Sequence, residues 1–556
     1  MIFSGNFNRP VLCIYFITVI TFLGSLHAQD VECETGMVAS AHQMASEAGV
    51  KILKEGGNAV DAAVAAAFAL AAVEPNASGL GGGGYLVLKL NSEDDFVFMD
   101  YRETAGSRTD PAQYYKGEDS FKKLALKGAS SVGVPGMVAG LLTLHKRYGL
   151  LPRDQILQPA IELAENGFTI SDKLVDIILQ KYEILATYPE TAGIFLQDLL
   201  PPTPGTILRN PMLAGSIRRI ASEGAGAFYQ GGIARSILKT LEQENGMITA
   251  EDLQNYQPRF SRPATGIYKN FEIVSAAPSS GGGVHLIELF NILEGYDLKS
   301  LGHNSTEYIH LLAEGLKIVL KDKDTFAGDP EYTDVPVTRL TSKSYAQFLR
   351  KKIRSDKALY DYQPETSFKE GDGSTSHLSV IDKDRNMIAL TQSINYWFGS
   401  GVTAEGTGIL LNNHIDDFDT IDGGPNAIAP GKRPVSSIAP TLIFKDGAPF
   451  LTIGTPGGAR IIAALAQVIL NITEFEMTID EAIEAPRIHA MEKDLYLEDR
   501  IPEEVISRLR KKGHQVKVMG SFDAYFGGAQ GILIKKGGKI LCGGADSRRD
   551  GVAVGY

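Results

Sequence analysis

The run "AVDAAVAAAFALAAVEP", residues 59 to 75, constrains the architecture more than any other stretch of the chain. Alanine is the strongest helix former, and Pro75 stops the run. The resulting helix is apolar nearly all round, so it needs cover on every side, and its small side chains let neighbours come close. A second helical pattern, "MASEAGVKILKEGG", precedes it and ends at a Gly-Gly break. After it, "SGLGGGGYLVLKL" and "DDFVFMDYRETA" each end in a strand-like run. Gly79, Gly81 and Gly84 spell G-x-G-x-x-G, but they follow a helix and precede a strand. A dinucleotide site needs the reverse order, so nucleotide binding is disfavoured.

Residues 110 to 360 read mostly as helix. "LPRDQILQPAIELAENG" and "NSTEYIHLLAEGLKIVLKDKDTFAG" carry apolar positions at helical spacing, with glycine near each end. "FEIVSAAPSSGGGVHLIELFNIL" is strand, glycine turn, helix, and residues 355 to 374 form a polar, turn-rich, exposed segment. From 375 the pattern changes to strands, "HLSVID", "NMIALTQ", "GILLNN", "PTLIFKDG", "PFLTIG" and "QGILIKKGGKILCGG", with "RIIAALAQVILNI" and "TIDEAIEAP" as helices between them. Length alone admits three or four domains. Helices and strands in both halves favour instead an α+β sandwich of sheets covered by helices.

The formal net charge of −12 comes without a basic patch, which argues against a nucleic-acid partner. Residues 1 to 28 have the form of a signal peptide: Arg9, an apolar stretch from Val11 to Leu26, and Ala28 at the end. A stretch of sixteen residues is short for a membrane span of about 20, so a cleaved leader and an exported protein are expected over an uncleaved anchor. Cys13 would leave with the leader. Export would permit Cys33 and Cys542 to pair, but sequence does not show whether they meet. H-E-x-x-H and C-x-x-C are both absent, so no metal and no cofactor is expected. Asn76, Asn304 and Asn471 begin glycosylation sequons.

The segment "EGDGSTSHLSV", residues 370 to 380, places small and hydroxyl residues directly ahead of a strand. It reads either as a polar turn or as a cleavage site that makes Thr375 a new N-terminus. A threonine hydroxyl is a poor nucleophile without a base. A free α-amine, with a pKa of about 7.7–8.0, supplies one on the same residue.

Around this segment, "GDGSTSHLSVIDKDRNMIALTQSIN", "FGSG", "GILLNNHIDDF", "PGKRPVSSIAPT" and "GTPGGARII" resemble in order the small subunit of gamma-glutamyltransferases. "GGNAVDAAVAAAFALAAVEPNASGLGGGGYLVL", "MDYRETA" and "APSSGGGVHL" resemble the large subunit, and "ADSRRDGVAVGY" matches the end. The resemblance spans essentially the whole mature chain. It implies an N-terminal-nucleophile (Ntn) hydrolase fold, a four-layer αββα sandwich that cleaves itself into a heterodimer. Cleavage between Ser374 and Thr375 would give a large subunit, 29–374, and a strand-rich small subunit, 375–556. Thr375 would then attack γ-glutamyl amides such as glutathione, and water or an acceptor amino acid or peptide would release the acyl group.

The same resemblance assigns roles. Gly457 and Gly458 match the oxyanion-hole glycines, although a tight turn before a helix would look the same. Ser393 stands where the family has a second threonine beside the nucleophile. Arg102, Ser436 and Ser437 match the groups on the substrate carboxylate; Asn395 and Asp417 match those on its ammonium. His414 occupies a position usually held by Gln or Glu, and a protonated imidazole there would repel the ammonium at acidic pH. His377 reads as structural support. The segment from Asp417 to Lys432 is short, as in family members without a lid, which implies an open site and appreciable hydrolysis. The rivals are a glutaryl or cephalosporin acylase, a poly-γ-glutamate depolymerase, and a non-enzymatic exported binding protein.

Overall fold

The computed structural model describes Met1 and residues 30–359, 373–535 and 537–556. The expected leader at 1–28 lies outside the described residues, apart from Met1, as does 360–372 of the polar segment before the cleavage site. Eight elements frame the site: helix α1 (Ala59–Val73), strand β1 (Gly83–Lys89), helix α2 (Gly282–Leu293), helix α3 (Thr306–Phe326), strand β2 (Gly373–Ile381), strand β3 (Met387–Tyr396), strand β4 (Ala448–Gly454) and helix α4 (Ile461–Thr473).

Every residue of α1 is buried, as its composition requires. Its start is fixed by a capping box: the Asn58 side chain accepts from the Val60 and Asp61 amides, and Asp61 accepts from the Asn58 amide. The helix packs against a seven-stranded antiparallel sheet whose order is Val552–Gly555, Met37–Ser40, β2, β3, β1, Phe96–Asp100 and Arg259–Ser261. Alternate residues of this sheet point opposite ways. Leu86, Leu88, Leu378, Val380, Ile388 and Leu390 join the core around α1. Val87, Ile381, Met387 and Ala389 join a second core, shared with the other sheet.

That second sheet also has seven antiparallel strands: Val31–Cys33, Ile540–Ala545, Gln530–Lys535, β4, Thr441–Lys445, Phe271–Ser275 and Ala264–Tyr268. Helices α2, α3 and α4 cover its far side through Leu286, Leu316 and Val468, all buried. The result is four layers, αββα. Both sheets interleave strands from before and after residue 375, so length does not translate into a row of domains.

The last four glycines of "GLGGGG" have a packing explanation. A methyl group on Gly81, Gly82 or Gly84 would collide with the carbonyls of Leu410, Ser393 and Thr391 respectively. The two cysteines among the described residues are neighbours that cannot pair: Cys33 faces Leu541 and Cys542 faces Glu32 in the antiparallel register, so the side chains leave opposite faces, and both thiols are free. Asn76 and Asn471 are buried, which leaves their sequons out of reach in the folded chain. Among the described residues no helix is long and apolar enough to cross a membrane.

Candidate active site

Strands β2 and β3 pair regularly except at one place. Ser374 faces Asn395 and Ser376 faces Gln392, so Ser393 and Ile394 together oppose Thr375. Such a bulge re-aims a side chain, and here it brings Ser393 to the peptide bond ahead of the threonine. Ser393 Oγ donates to the Ser374 carbonyl at 2.7 Å, and Thr375 Oγ1 donates to the same oxygen at 2.6 Å. Thr375 Oγ1 also lies 3.3 Å from Ser393 Oγ, which accepts from the Asn395 amide at 2.8 Å. Asn395 has a φ of 81°, a left-handed conformation in which asparagine is better tolerated than most residues. Ser374 Oγ is tied to the Asn395 carbonyl at 3.0 Å. The bond expected to break is thus buried, polarised and in contact with its nucleophile.

A second set of groups holds the two residues after that bond. Arg549 Nη1 donates to the Thr375 carbonyl at 3.1 Å, and its guanidinium sits 4.7 Å from the centre of the Trp397 ring. Ser376 Oγ donates to Glu74, which is buried beside Arg549; burial pushes the Glu74 carboxyl up to about 7 against the pull of that arginine. His377 points to the second sheet, where Gly454 leaves it room. Its Nδ1 is 2.7 Å from Thr391 Oγ1 and its Nε2 is 3.1 Å from Ser379 Oγ, and burial lowers its pKa to about 3. A buried, neutral, doubly bonded imidazole fits structural support.

Arg102, Asn395, His414, Asp417, Ser436 and Ser437 all line one cleft together with Ser374, Thr375, Ser393 and Gly458. These residues come from distant parts of the chain, and the fold gathers them. Gly457 immediately precedes Gly458 but is not on the cleft wall. Both glycines have positive φ, 136° and 56°, in the turn that leads to α4, a conformation that favours glycine.

Arg102 is buried and ion-pairs with Asp417, so the two groups expected to hold opposite ends of the substrate hold one another. Burial works against its charge, but Asp417, then Tyr85 and Glu103, outweigh it and raise the guanidinium pKa. The arginine is fixed from behind. Its amide donates to Asp100 at 2.8 Å, its carbonyl accepts from the Tyr256 hydroxyl at 2.7 Å, and Asp100 in turn pairs with Arg433 and accepts from Ser279 at 2.9 Å. Ser436 and Ser437 rest on the start of α2: Gly281 donates to the Ser436 carbonyl at 2.9 Å, and a methyl on Gly282 would strike the Ser437 carbonyl. Gly282 of "SSGGGV" thus lets the serine pair approach.

His414 differs from expectation. Burial, then the charge of Arg102, push its pKa well below the ordinary histidine range. It is neutral at mildly acidic pH, so the repulsion foreseen there is displaced to stronger acid. Its Nδ1 lies 2.9 Å from Glu103, a residue that sequence reasoning passed over although it directly follows Arg102. Tyr396, Asp416, Lys323, Asp324 and Arg460 also line the cleft unforeseen. Tyr396 donates to Asp416 at 2.8 Å, and burial raises Asp324 to about 7. Lys323 and Asp324 sit near the end of α3, and no local pattern marks them.

An αββα sandwich with a threonine hydroxyl against the peptide bond that precedes it, beside a cleft with a fixed arginine, is the architecture of an N-terminal-nucleophile hydrolase precursor. Residues 45–556 match the gamma-glutamyltranspeptidase family, and the chain belongs to that family. It is 36% identical to the glutathione hydrolase proenzyme of Pseudomonas sp. (strain A14), with both chains covered in full. It is 38% identical to the acylase ACY 1 proenzyme of Pseudomonas sp. (strain SE83), with 93% of each covered. The crystal structure of cephalosporin acylase from Bacillus halodurans superposes with a TM-score of 0.86 at 27% identity, covering 98% of this chain and 99% of that one.

Proposed function

We propose that this chain is an exported precursor that cleaves itself between Ser374 and Thr375 and then hydrolyses or transfers γ-glutamyl groups from glutathione-like donors. In maturation, Thr375 Oγ1 attacks the Ser374 carbonyl carbon. The peptide C–N bond breaks, an ester forms on the threonine oxygen, and water hydrolyses that ester. The carboxylate stays on Ser374 and the amine on Thr375. Residues 29–374 and 375–556 remain together because each sheet contains strands of both.

In turnover the new amine accepts the hydroxyl proton while Oγ1 attacks the γ-carbonyl of the donor. The leaving amine departs, and water or an acceptor amine resolves the acyl-enzyme, which gives ping-pong kinetics. The amides of Gly457 and Gly458 stabilise the oxyanion, Arg102 with Ser436 and Ser437 takes the substrate carboxylate, and Asn395, His414 and Asp417 take its ammonium. Substrate entry exchanges the Arg102–Asp417 pair for two pairs with the zwitterion.

The observation that carries the reading is the convergence of Thr375 Oγ1 and Ser393 Oγ on the Ser374 carbonyl. N-terminal sequencing of the purified protein tests it: a chain beginning at Thr375 is expected, and Thr375→Ala is expected to leave one polypeptide without turnover. A continuous, fully active wild-type chain would refute it. The acylases among the relatives favour one second reading, hydrolysis of glutaryl-type amides. Rates on a glutaryl and a γ-glutamyl anilide separate the two, since only the latter carries an ammonium.

A further inference from the structure

Three buried polar atoms beside the cleft lack hydrogen-bond partners and lie together: both carboxyl oxygens of Glu103 and Nδ1 of His414. Glu103 Oε1 is 2.9 Å from that nitrogen, and the two side chains are 0% and 2% exposed. Their approach is not aligned as a hydrogen bond in the uncleaved chain. Glu103 Oε2 ion-pairs with Arg102 Nη1 at 3.7 Å; a buried polar atom left unpaired costs about 1–3 kcal/mol, so Oε1 and Nδ1, in mutual contact, are best satisfied by sharing a proton. His414 lines the cleft, and with Nδ1 turned toward Glu103, Nε2 is the ring nitrogen left for a bound head group.

We infer that Glu103 sets the tautomer of His414, and through it the head group that the cleft accepts. The inference rests on the placement of His414 beside the substrate ammonium. With Glu103 ionised, Nδ1–H faces the carboxylate and Nε2 offers a lone pair, which suits an ammonium. With Glu103 protonated, its O–H faces Nδ1 and the imidazole proton stays on Nε2. An ammonium then meets a donor, whereas a hydroxyl oxygen in the same position is accepted. Amides of 2-hydroxyglutaric acid at its far carboxyl are the substrate class of that second state. Between the states one proton passes from Glu103 to solvent and the imidazole proton moves from Nε2 to Nδ1, with His414 neutral in both.

The groups facing the pair are Arg102, Asp100, Arg433 and Asp417, with the phenols of Tyr101, Tyr229 and Tyr256. Burial lifts all three phenols. It also pushes Glu103 up to about 8, against the pull of Arg102, so of the two it is the carboxyl that changes state near neutrality; Asp324 on the cleft wall, raised to about 7, is the same in wild type and Glu103→Gln.

The test compares kcat/KM for the γ-glutamyl p-nitroanilide with that for the corresponding 2-hydroxyglutaryl p-nitroanilide from pH 6 to 9. In the wild type the ratio is expected to rise about tenfold across this range, the lower bound for a hydrogen bond to a charged group. Glu103→Gln is expected to flatten the profile, because an amide does not titrate. A purely structural role would scale both substrates equally and leave the slope in place. A flat wild-type ratio overturns the inference without any variant, and so does a slope that survives Glu103→Gln. A protein that hydrolyses neither anilide at any pH overturns the placement of the site, and this inference with it.

Discussion

Replacing Ser393 with alanine removes a single hydroxyl that serves the scissile bond from one side. Ser393 Oγ donates to the Ser374 carbonyl at 2.7 Å and accepts from the Asn395 amide at 2.8 Å. The first bond strengthens as negative charge grows on that oxygen during attack by Thr375. Loss of one such donor typically raises a barrier by about 2.7–4 kcal/mol, or 10²–10³ in rate. The second bond is a ground-state contact, and leaving the Asn395 amide unpaired costs about 1–3 kcal/mol of stability. Ser393→Ala should therefore accumulate as full-length chain that converts to two fragments about 10²–10³ times more slowly than the wild type. Ser393→Thr, which restores the hydroxyl, should cleave normally. The assay is a time course on denaturing gels after purification, with the melting temperature measured in parallel. A folded Ser393→Ala protein that cleaves within twofold of the wild-type rate would show that the hydroxyl does not stabilise the transition state.

Other outcomes rest on the same geometry. Arg102→Lys keeps the charge but loses the planar fork, so KM for a γ-glutamyl donor should rise about 10- to 100-fold, the worth of a charge-assisted hydrogen bond. For His377 the sign is set by its lowered folded pKa of about 3: between its unfolded value near 6.5 and about 3 the unfolded chain binds the extra proton, so stability falls with falling pH. His377→Gln, whatever it costs at pH 8, should gain on the wild type by about 1.4 kcal/mol per pH unit below 6.5 in denaturant titrations. Because Cys33 and Cys542 leave opposite faces of adjacent strands, alkylation of the unreduced, denatured mature protein should label two thiols.

Much of the fold was legible because its signals are local. The run around Ala65 could be nothing but a buried helix, and the apolar runs after 375, punctuated by turns, read as sheet. The layer order was less accessible. Val31–Cys33 and Met37–Ser40 are too short to announce themselves, yet they sit in different sheets, one beside Ile540–Ala545 and the other beside β2. Long-range pairing of this kind leaves no periodic mark. The cysteines show the same limit: two residues at opposite ends of the mature chain become neighbours, and only the strand register decides that they face apart.

The site divides along similar lines. Residues embedded in motifs, such as Arg102 in "DYRET" and the serines in "PVSSIAP", could be singled out from sequence, and they line one cleft. Residues defined by what they touch could not. Glu103 is adjacent to Arg102 in the chain, but its significance comes from His414, 311 positions away, and from burial that no local pattern encodes. His414 was visible as a departure with two readings: a neutral imidazole accepts one hydrogen bond, whereas a protonated one sets a cation against a cation. Burial favours the neutral form, and the same low dielectric that strips the charge from the imidazole lifts the pKa of the carboxyl behind it. Within the pair it is then the carboxyl, not the imidazole, that titrates nearer neutrality.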